Sequence, residues 1–266
     1  MLYKKTAVIT GASSGIGRAI ANNLAKEGMH VYITGRSKDK LEIVRREIQS
    51  AGGTVSASAF DIRDISKLQG FINRAKEETA HLDVMVNNAG LHIHGTIAEG
   101  TIESWREMID VNILALLGGT QAAILAMRQN TQSIGGHIIN ISSRASGDIY
   151  GATKHMVTAL SEALTKELEE EPIRITNILP GAVATNFGRN ADPAMVQGLA
   201  NKLGLNVEVK KGEHLSDELL ERIHSAIGKI FLKPDDIAKA VVYALNQPEN
   251  VDVREIHISS PKEYSL

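Results

Sequence analysis

Cysteine is absent from this chain of 266 residues, which excludes disulfides and thiolate metal sites and fits a reducing compartment. Charge of one sign is also lacking. With 29 Lys and Arg against 31 Asp and Glu, the formal charge is −2, and neither a basic stripe nor an acidic tail is present. Nucleic acid is therefore not an expected partner, and no segment reads as disordered. No uninterrupted apolar run approaches the ~18 residues a membrane span needs, so no membrane partner is expected. The first residues run straight into a strand-like stretch at Thr6, which leaves no room for a secretory leader. The expectation is a cytoplasmic protein. What is there is 43% apolar residues, enough for a large core, and 23% charged residues for a solvated surface.

Short β-rich runs alternate with helix-length amphipathic ones. The strands are expected at Thr6–Thr10, His30–Thr34, Thr54–Phe60, Val84–Asn87, His137–Ser142, Arg174–Leu179 and Glu255–Ser259. Helical spacing covers Ile16–Glu27, Lys40–Ser50, Ile65–Glu78, Trp105–Arg128, Ile149–Glu170 and Asp235–Gln247. Switching between periods of 2 and 3.6 signals βαβ units. Strands such as Ile138-Ile139-Asn140-Ile141 are apolar on both faces, as in a parallel sheet covered by helices on both sides. The predicted fold is α/β, a Rossmann-like doubly wound parallel sheet in one domain spanning residues 1–266, binding ligands at the carboxyl ends of its strands. Residues 187–233 break the rhythm and are expected to form a helical substrate lid, with helix-like patches at Met195–Lys202 and Ser216–Ile227.

Thr10-Gly11-Ala12-Ser13-Ser14-Gly15-Ile16-Gly17 sits at the first strand-to-helix turn. Its glycines let backbone approach a pyrophosphate, and the helix N-terminus offers free N–H groups and the positive end of a dipole. Gly11, Ser13, Ser14, Gly15, Ile16 and Gly17 are the cofactor candidates here. After the second strand, where an NAD site commonly places a carboxylate, stand Gly35 and Arg36. A guanidinium suits a 2′-phosphate in charge and geometry, so NADP(H) is expected over NAD(H). Asp61 and Ile62 follow the third strand, beside an expected adenine, and Asn88, Ala89 and Gly90 follow the fourth.

Tyr150 and Lys154 open a helix at i,i+4 spacing and share one face. A phenol titrates near ~10 in water, and a nearby ammonium favours its ionised form. Such a pair suits proton movement accompanying hydride transfer.

The ordered set Thr10-Gly11-x-x-x-Gly15-Ile16-Gly17, Asn87-Asn88-Ala89-Gly90, Asn112, Ile141-Ser142-Ser143, Tyr150-x-x-x-Lys154 and Pro180-Gly181-x-Val183-x-Thr185 resembles the short-chain dehydrogenase/reductase family. The resemblance implies an oxidoreductase moving hydride between NADP(H) and a small carbonyl or alcohol substrate. It implies Tyr150 as general acid/base, with Lys154 holding the nicotinamide ribose and depressing the tyrosine pKa. Ser143 is implied at the substrate oxygen and Asn112 at a proton-relay water, completing the catalytic set. Pro180, Gly181, Val183 and Thr185 are implied near the nicotinamide carboxamide, with Asn88 and Gly90 along the cofactor. It further implies a homodimer or homotetramer built on the helices that follow Asn112 and Ile149. Ile113, Leu114, Leu117, Ala123, Ile124 and Met127 leave the first of these apolar over much of its circumference.

Ser143 and Tyr150 are only seven residues apart, several fewer than the family usually has. The shortening leaves open whether Ser142 or Ser143 faces the substrate, since strand side chains alternate. Ser146 and Asp148 are both candidates to cap the helix. His92-x-His94 lacks a Cys or a third clustered ligand, which argues against zinc, and no metal is expected. Arg144 reads as a solvated loop residue. The shortened loop also admits a catalytically silent NADP(H)-binding sensor, and an epimerase or dehydratase of nucleotide sugars is disfavoured by the missing C-terminal substrate domain.

Overall fold

Runs rich in Val, Ile and Thr become strands where helices cover both of their faces, and the computed structural model forms seven of them. It describes residues 2–130, 135–145, 147–185, 197–198, 201 and 231–261. The strands are β1 (Thr6–Ile9), β2 (His30–Gly35), β3 (Thr54–Ala59), β4 (Val84–Asn87), β5 (Gly136–Ile141), β6 (Ile173–Pro180) and β7 (Glu255–Ile258). They form one sheet in the order β3-β2-β1-β4-β5-β6-β7, with every pair parallel. The order reverses between β1 and β4, which puts the ligand crevice of a doubly wound sheet at that edge.

One face is covered by α1 (Gly15–Lys26), α2 (Lys38–Ser50) and α7 (Pro234–Leu245), whose Ile20, Leu24, Leu41, Val44, Ile237 and Val241 enter one apolar cluster with Ile9 and Val86. The other is covered by α3 (Ile65–Thr79), α5 (Ala115–Met127) and α6 (Ile149–Glu167). Before α5 run α4 (Ile102–Ile109) and a π-helical turn at Asp110–Leu114. The helical run Ile102–Met127 is long and apolar enough to cross a membrane by length and composition, but more than half of its apolar 18-residue window is buried. Packing against α3 and the sheet accounts for that composition. It also corrects the surface expected for self-association. Ile113, Ala123, Ile124 and Met127 are core residues, and of the six apolar residues named above only Leu114 is about half exposed.

Three amides cross the core beneath the carboxyl edge. Asn87, Asn140 and Asn177 occupy matched positions on β4, β5 and β6. Asn87 donates to Asn140 Oδ1 and to Thr120 Oγ1 at 2.9 Å each, and Asn140 donates to Ser161 Oγ of α6 at 2.9 Å. Asn177 donates to Thr158 Oγ1 at 3.0 Å. These bonds spare Asn87 and Asn140 the ~1–3 kcal/mol typical of an unsatisfied buried polar group, whereas Asn177 Oδ1 is buried without a partner.

Of the helix-like patch expected at Met195–Lys202 only residues 197, 198 and 201 are described, and they are helical; the patch at Ser216–Ile227 and nearly all the rest of residues 187–233 lie outside the described residues.

Candidate active site

The glycine turn is built by close approach. Gly11 and Gly15 have φ of +67° and +55°, where a side chain is strained. A Cβ on Gly17 would stand 2.5 Å from both Gly11 O and Asn88 Nδ2, so α1 can pack this tightly on β1 and β4 only without one. Asn88 stitches the turn to the end of β4, its Nδ2 donating to Thr10 O at 2.8 Å, while Thr10 Oγ1 accepts the backbone N–H of Asn88 and Ala89 at 3.1 Å. Ser14 is the N-cap of α1, and its side chain makes no capping bond. The first N–H groups of α1 are thus not capped by that hydroxyl, and with the dipole they suit an anion. This turn fits a pyrophosphate. Arg36 is exposed at the end of β2. Asp61 is held by Arg63, whose backbone N–H and guanidinium both donate to it, and those bonds keep its carboxyl below the usual carboxylate range. Ile62 is buried beside it.

The other half of the site is built from side chains. Asp148 caps α6, its Oδ1 accepting from Gly151 N at 2.7 Å, so of the two cap candidates Asp148 performs the task. The cap starts the helix one residue before Tyr150, and i,i+4 spacing then stacks Lys154 behind it, with Nζ 5.9 Å from the phenol ring centroid. Both are buried. Lys154 Nζ donates to Ile141 O at 2.7 Å, and burial lowers its pKa to about 8. Burial also raises the Tyr150 pKa well above its ordinary value. The Ser143 hydroxyl opposes that rise, and the charge of Asp148 adds to it. The resemblance implied a depression by Lys154; its ammonium donates instead to Ile141 O, and burial is the largest effect on the phenol.

The two serines separate cleanly. Ser142 is buried, and its Oγ donates to Lys154 O at 2.7 Å. Ser143 lies on the Tyr150 side, and its hydroxyl lowers the phenol's pKa against the effect of burial. Asn112 sits in the π turn, buried, with Oδ1 accepting from Leu91 N at 2.7 Å and Nδ2 donating to Leu91 O and Thr153 Oγ1 at 2.9 Å each. Its amide therefore braces the loop after β4 against α6. A Cβ on Gly90 would lie 3.5 Å from Lys154 Nζ and 3.6 Å from Asn112 Oδ1, so the backbone there runs directly over both. Pro180 ends β6, Gly181 N donates to Ile258 O at 2.7 Å, and Val183 pairs with Leu232. Thr185 lies against the glycine turn, within 3.2 Å of where a Gly15 Cβ would be. Tyr150, Lys154, Ser143, Asn112 and Gly90 thus converge, and the glycine turn meets them through Asn88 and Ala89.

Two residues differ from expectation. Arg144 is not a solvated loop residue, since its guanidinium bonds Ser259 Oγ and its N–H donates to Pro180 O. His92, to which the sequence assigns no role, has its ring 4.7 Å from that of Tyr150, and its Nε2 bonds Asp148 Oδ2 at 3.0 Å. No local signal announces a contact across 56 residues. The shortened loop, which carries Asp148 back over the site, was the available hint.

The family model for short chain dehydrogenases matches residues 5–195. The chain is a short-chain dehydrogenase/reductase. It is 34% identical to an oxidoreductase of Staphylococcus saprophyticus over 264 residues, covering 97% of each chain. It is also similar to an archaeal alcohol dehydrogenase from Thermococcus sibiricus solved with 5-hydroxy-NADP, with 30% identity, a TM-score of 0.77 and 97% of both chains covered. A metagenomic short-chain oxidoreductase solved with NADP matches at 27% identity and a TM-score of 0.73, again over 97% of both chains. This short-chain dehydrogenase is thus an oxidoreductase with a Rossmann-like fold.

Proposed function

We propose that the enzyme is NADP(H)-dependent and interconverts a carbonyl and a secondary alcohol, with Tyr150 as its general acid/base. One observation carries this reading: a buried phenol whose pKa the neighbouring Ser143 hydroxyl lowers, with a buried ammonium behind it, at the carboxyl edge of a sheet whose first turn suits a pyrophosphate. The similarity to two structures solved with an NADP molecule supports the cofactor choice.

Bound NADPH supplies hydride to the carbonyl carbon. The substrate oxygen accepts hydrogen bonds from Ser143 and Tyr150, and the phenol gives up its proton as negative charge develops there. A phenol whose pKa is raised by burial is fully protonated at neutral pH and is ready as an acid in this direction. Lys154, 5.9 Å from the ring, holds the ribose of the nicotinamide and stabilises the phenolate that proton transfer leaves. Asn112 fixes the loop over the ribose and lines the proton route. Gly11 to Gly17 meet the pyrophosphate with Ser13, Ser14 and Ile16, Arg36 takes the 2′-phosphate, and Asp61 and Ile62 border the adenine. Asn88, Ala89 and Gly90 run along the cofactor, with Pro180, Gly181, Val183 and Thr185 at the carboxamide. Among the described residues no feature favours the sensor reading, because the shortened loop leaves the Ser143 hydroxyl near enough to Tyr150 to lower its pKa.

NADPH oxidation across a panel of aldehydes and ketones tests the reading. Tyr150→Phe is expected to lower kcat/KM by about 10²–10⁴-fold while NADPH still binds. A variant that reduces carbonyls at the wild-type rate overturns the mechanism, and wild-type protein that binds NADPH but turns over nothing favours the sensor. Self-association is proposed through α5 and α6, where Leu114, Leu125 and Met156 are each about half exposed. Light scattering at micromolar concentration should give a dimer or tetramer, and a monomer refutes it.

A further inference from the structure

The loop after β4 and the N-terminus of α6 bring together three groups that hydride transfer does not require. His92, His94 and Asp148 each offer one ligand atom, and these atoms all lie within 4.8 Å of one another. We propose that they form a binding site for one divalent transition-metal ion of the zinc class at the rim of the active site.

Zinc bonds of ~2.1 Å in tetrahedral geometry give ligand-to-ligand distances of about 3.4 Å. The pair His92 Nε2 and Asp148 Oδ2, 3.0 Å apart, already stands near that spacing. His94 is exposed, and its ring centroid is 6.2 Å from that of His92, so a modest turn of a surface side chain closes the third edge. Both imidazoles lie on one side because residues 92 and 94 alternate along non-helical backbone. The carboxylate is oriented in advance. Its Oδ1 is bound to Gly151 N, which fixes Oδ2 toward the histidines, as an outer hydrogen bond fixes a metal ligand.

The donor set selects the ion. Two imidazoles and one carboxylate, without thiolate, suit Zn²⁺ or Co²⁺ rather than Cu⁺, and two nitrogen donors disfavour Mg²⁺ and Ca²⁺. Three protein ligands leave one position open, and the ion would hold the loop after β4 to the cap of the helix that bears Tyr150, whose ring is 4.7 Å from His92.

Metal-free, untagged protein titrated with Zn²⁺ at neutral pH in a calorimeter tests the site without reference to catalysis. The wild type should take up about one equivalent, and Co²⁺ should show the visible absorption of a tetrahedral site. His94→Ala and Asp148→Asn should each weaken binding at least about tenfold, or about 1.4 kcal/mol. Asparagine retains the helix cap, and an unchanged Tm confirms that the fold is kept. His257→Ala, on β7, should bind like the wild type and accounts for surface imidazoles. Failure of the wild type to bind stoichiometrically, or wild-type affinity in both site variants, overturns the proposal.

Discussion

The phosphate end and the proton end of this site are made by opposite means. At the glycine turn, function depends on atoms left out: a single Cβ on Gly17 would collide with backbone and with Asn88. At the Tyr150 corner it depends on polar groups forced in, among them an ammonium buried behind a phenol. The first region is a matter of fit and costs little in the folded state. The second stores electrostatic strain, visible in a lysine pKa lowered to about 8. Stability and function should therefore be aligned at the glycine turn and opposed at the tyrosine corner.

Lys154→Met tests that opposition most severely. Activity should fall at least about 100-fold, while the cofactor-free protein becomes more stable at neutral pH. A pKa lowered from 10.5 to about 8 corresponds to about 3 kcal/mol. Leaving Ile141 O without its donor takes back about 1 kcal/mol, for a net gain of about 2 kcal/mol. Below pH 8 the lysine is protonated in both folded and unfolded states and the full penalty is present. Between about 8 and 10.5 only the unfolded chain holds the proton, so the wild type gains stability as pH rises and the advantage of the variant shrinks. Denaturant unfolding across that range checks the sign, and a variant less stable than the wild type at pH 7 breaks the comparison.

Gly17→Ala should lose stability and cofactor affinity together, by about 2 kcal/mol in unfolding, because Gly11 O cannot give way as a flexible side chain could. Arg36→Asp should be milder. It leaves the fold intact and lowers the preference for NADPH over NADH about tenfold or more, read as a ratio of kcat/KM values. The smallest effect is a control. A Cβ on Gly70, inside α3, meets nothing within 4 Å, so Gly70→Ala should raise stability by about 1 kcal/mol without touching activity.

The same contrast explains what the sequence disclosed. Strand and helix positions follow from local periodicity, and Thr6, His30, Thr54, Val84 and Glu255 are strand starts in both the pattern and the structure. The glycine turn and the Tyr150–Lys154 pair were legible because each lies within a few residues of chain. The π turn at Asp110–Leu114 was not, since a pattern of 3.6 residues does not register one wider turn inside a long apolar helix. Nor was the exposure of α5, where Ile124 and Met127 look like surface excess until α3 is packed on them. His92 and Asp148 meet only through tertiary structure. Arg144 looked solvated because the end of β7 lies 115 residues away.

The row of amides from Asn87 to Asn177 has a consequence for assembly. Parallel strands of Ile and Val can slide past one another with little loss of apolar contact, and such non-local pairings form slowly. A shift by one residue would turn each amide to the opposite face, away from Thr120, Ser161 and Thr158, and strand it among aliphatic side chains. The polar row thus acts as an alignment mark for the central strands, rejecting misregistered sheets before the catalytic groups above it are in place.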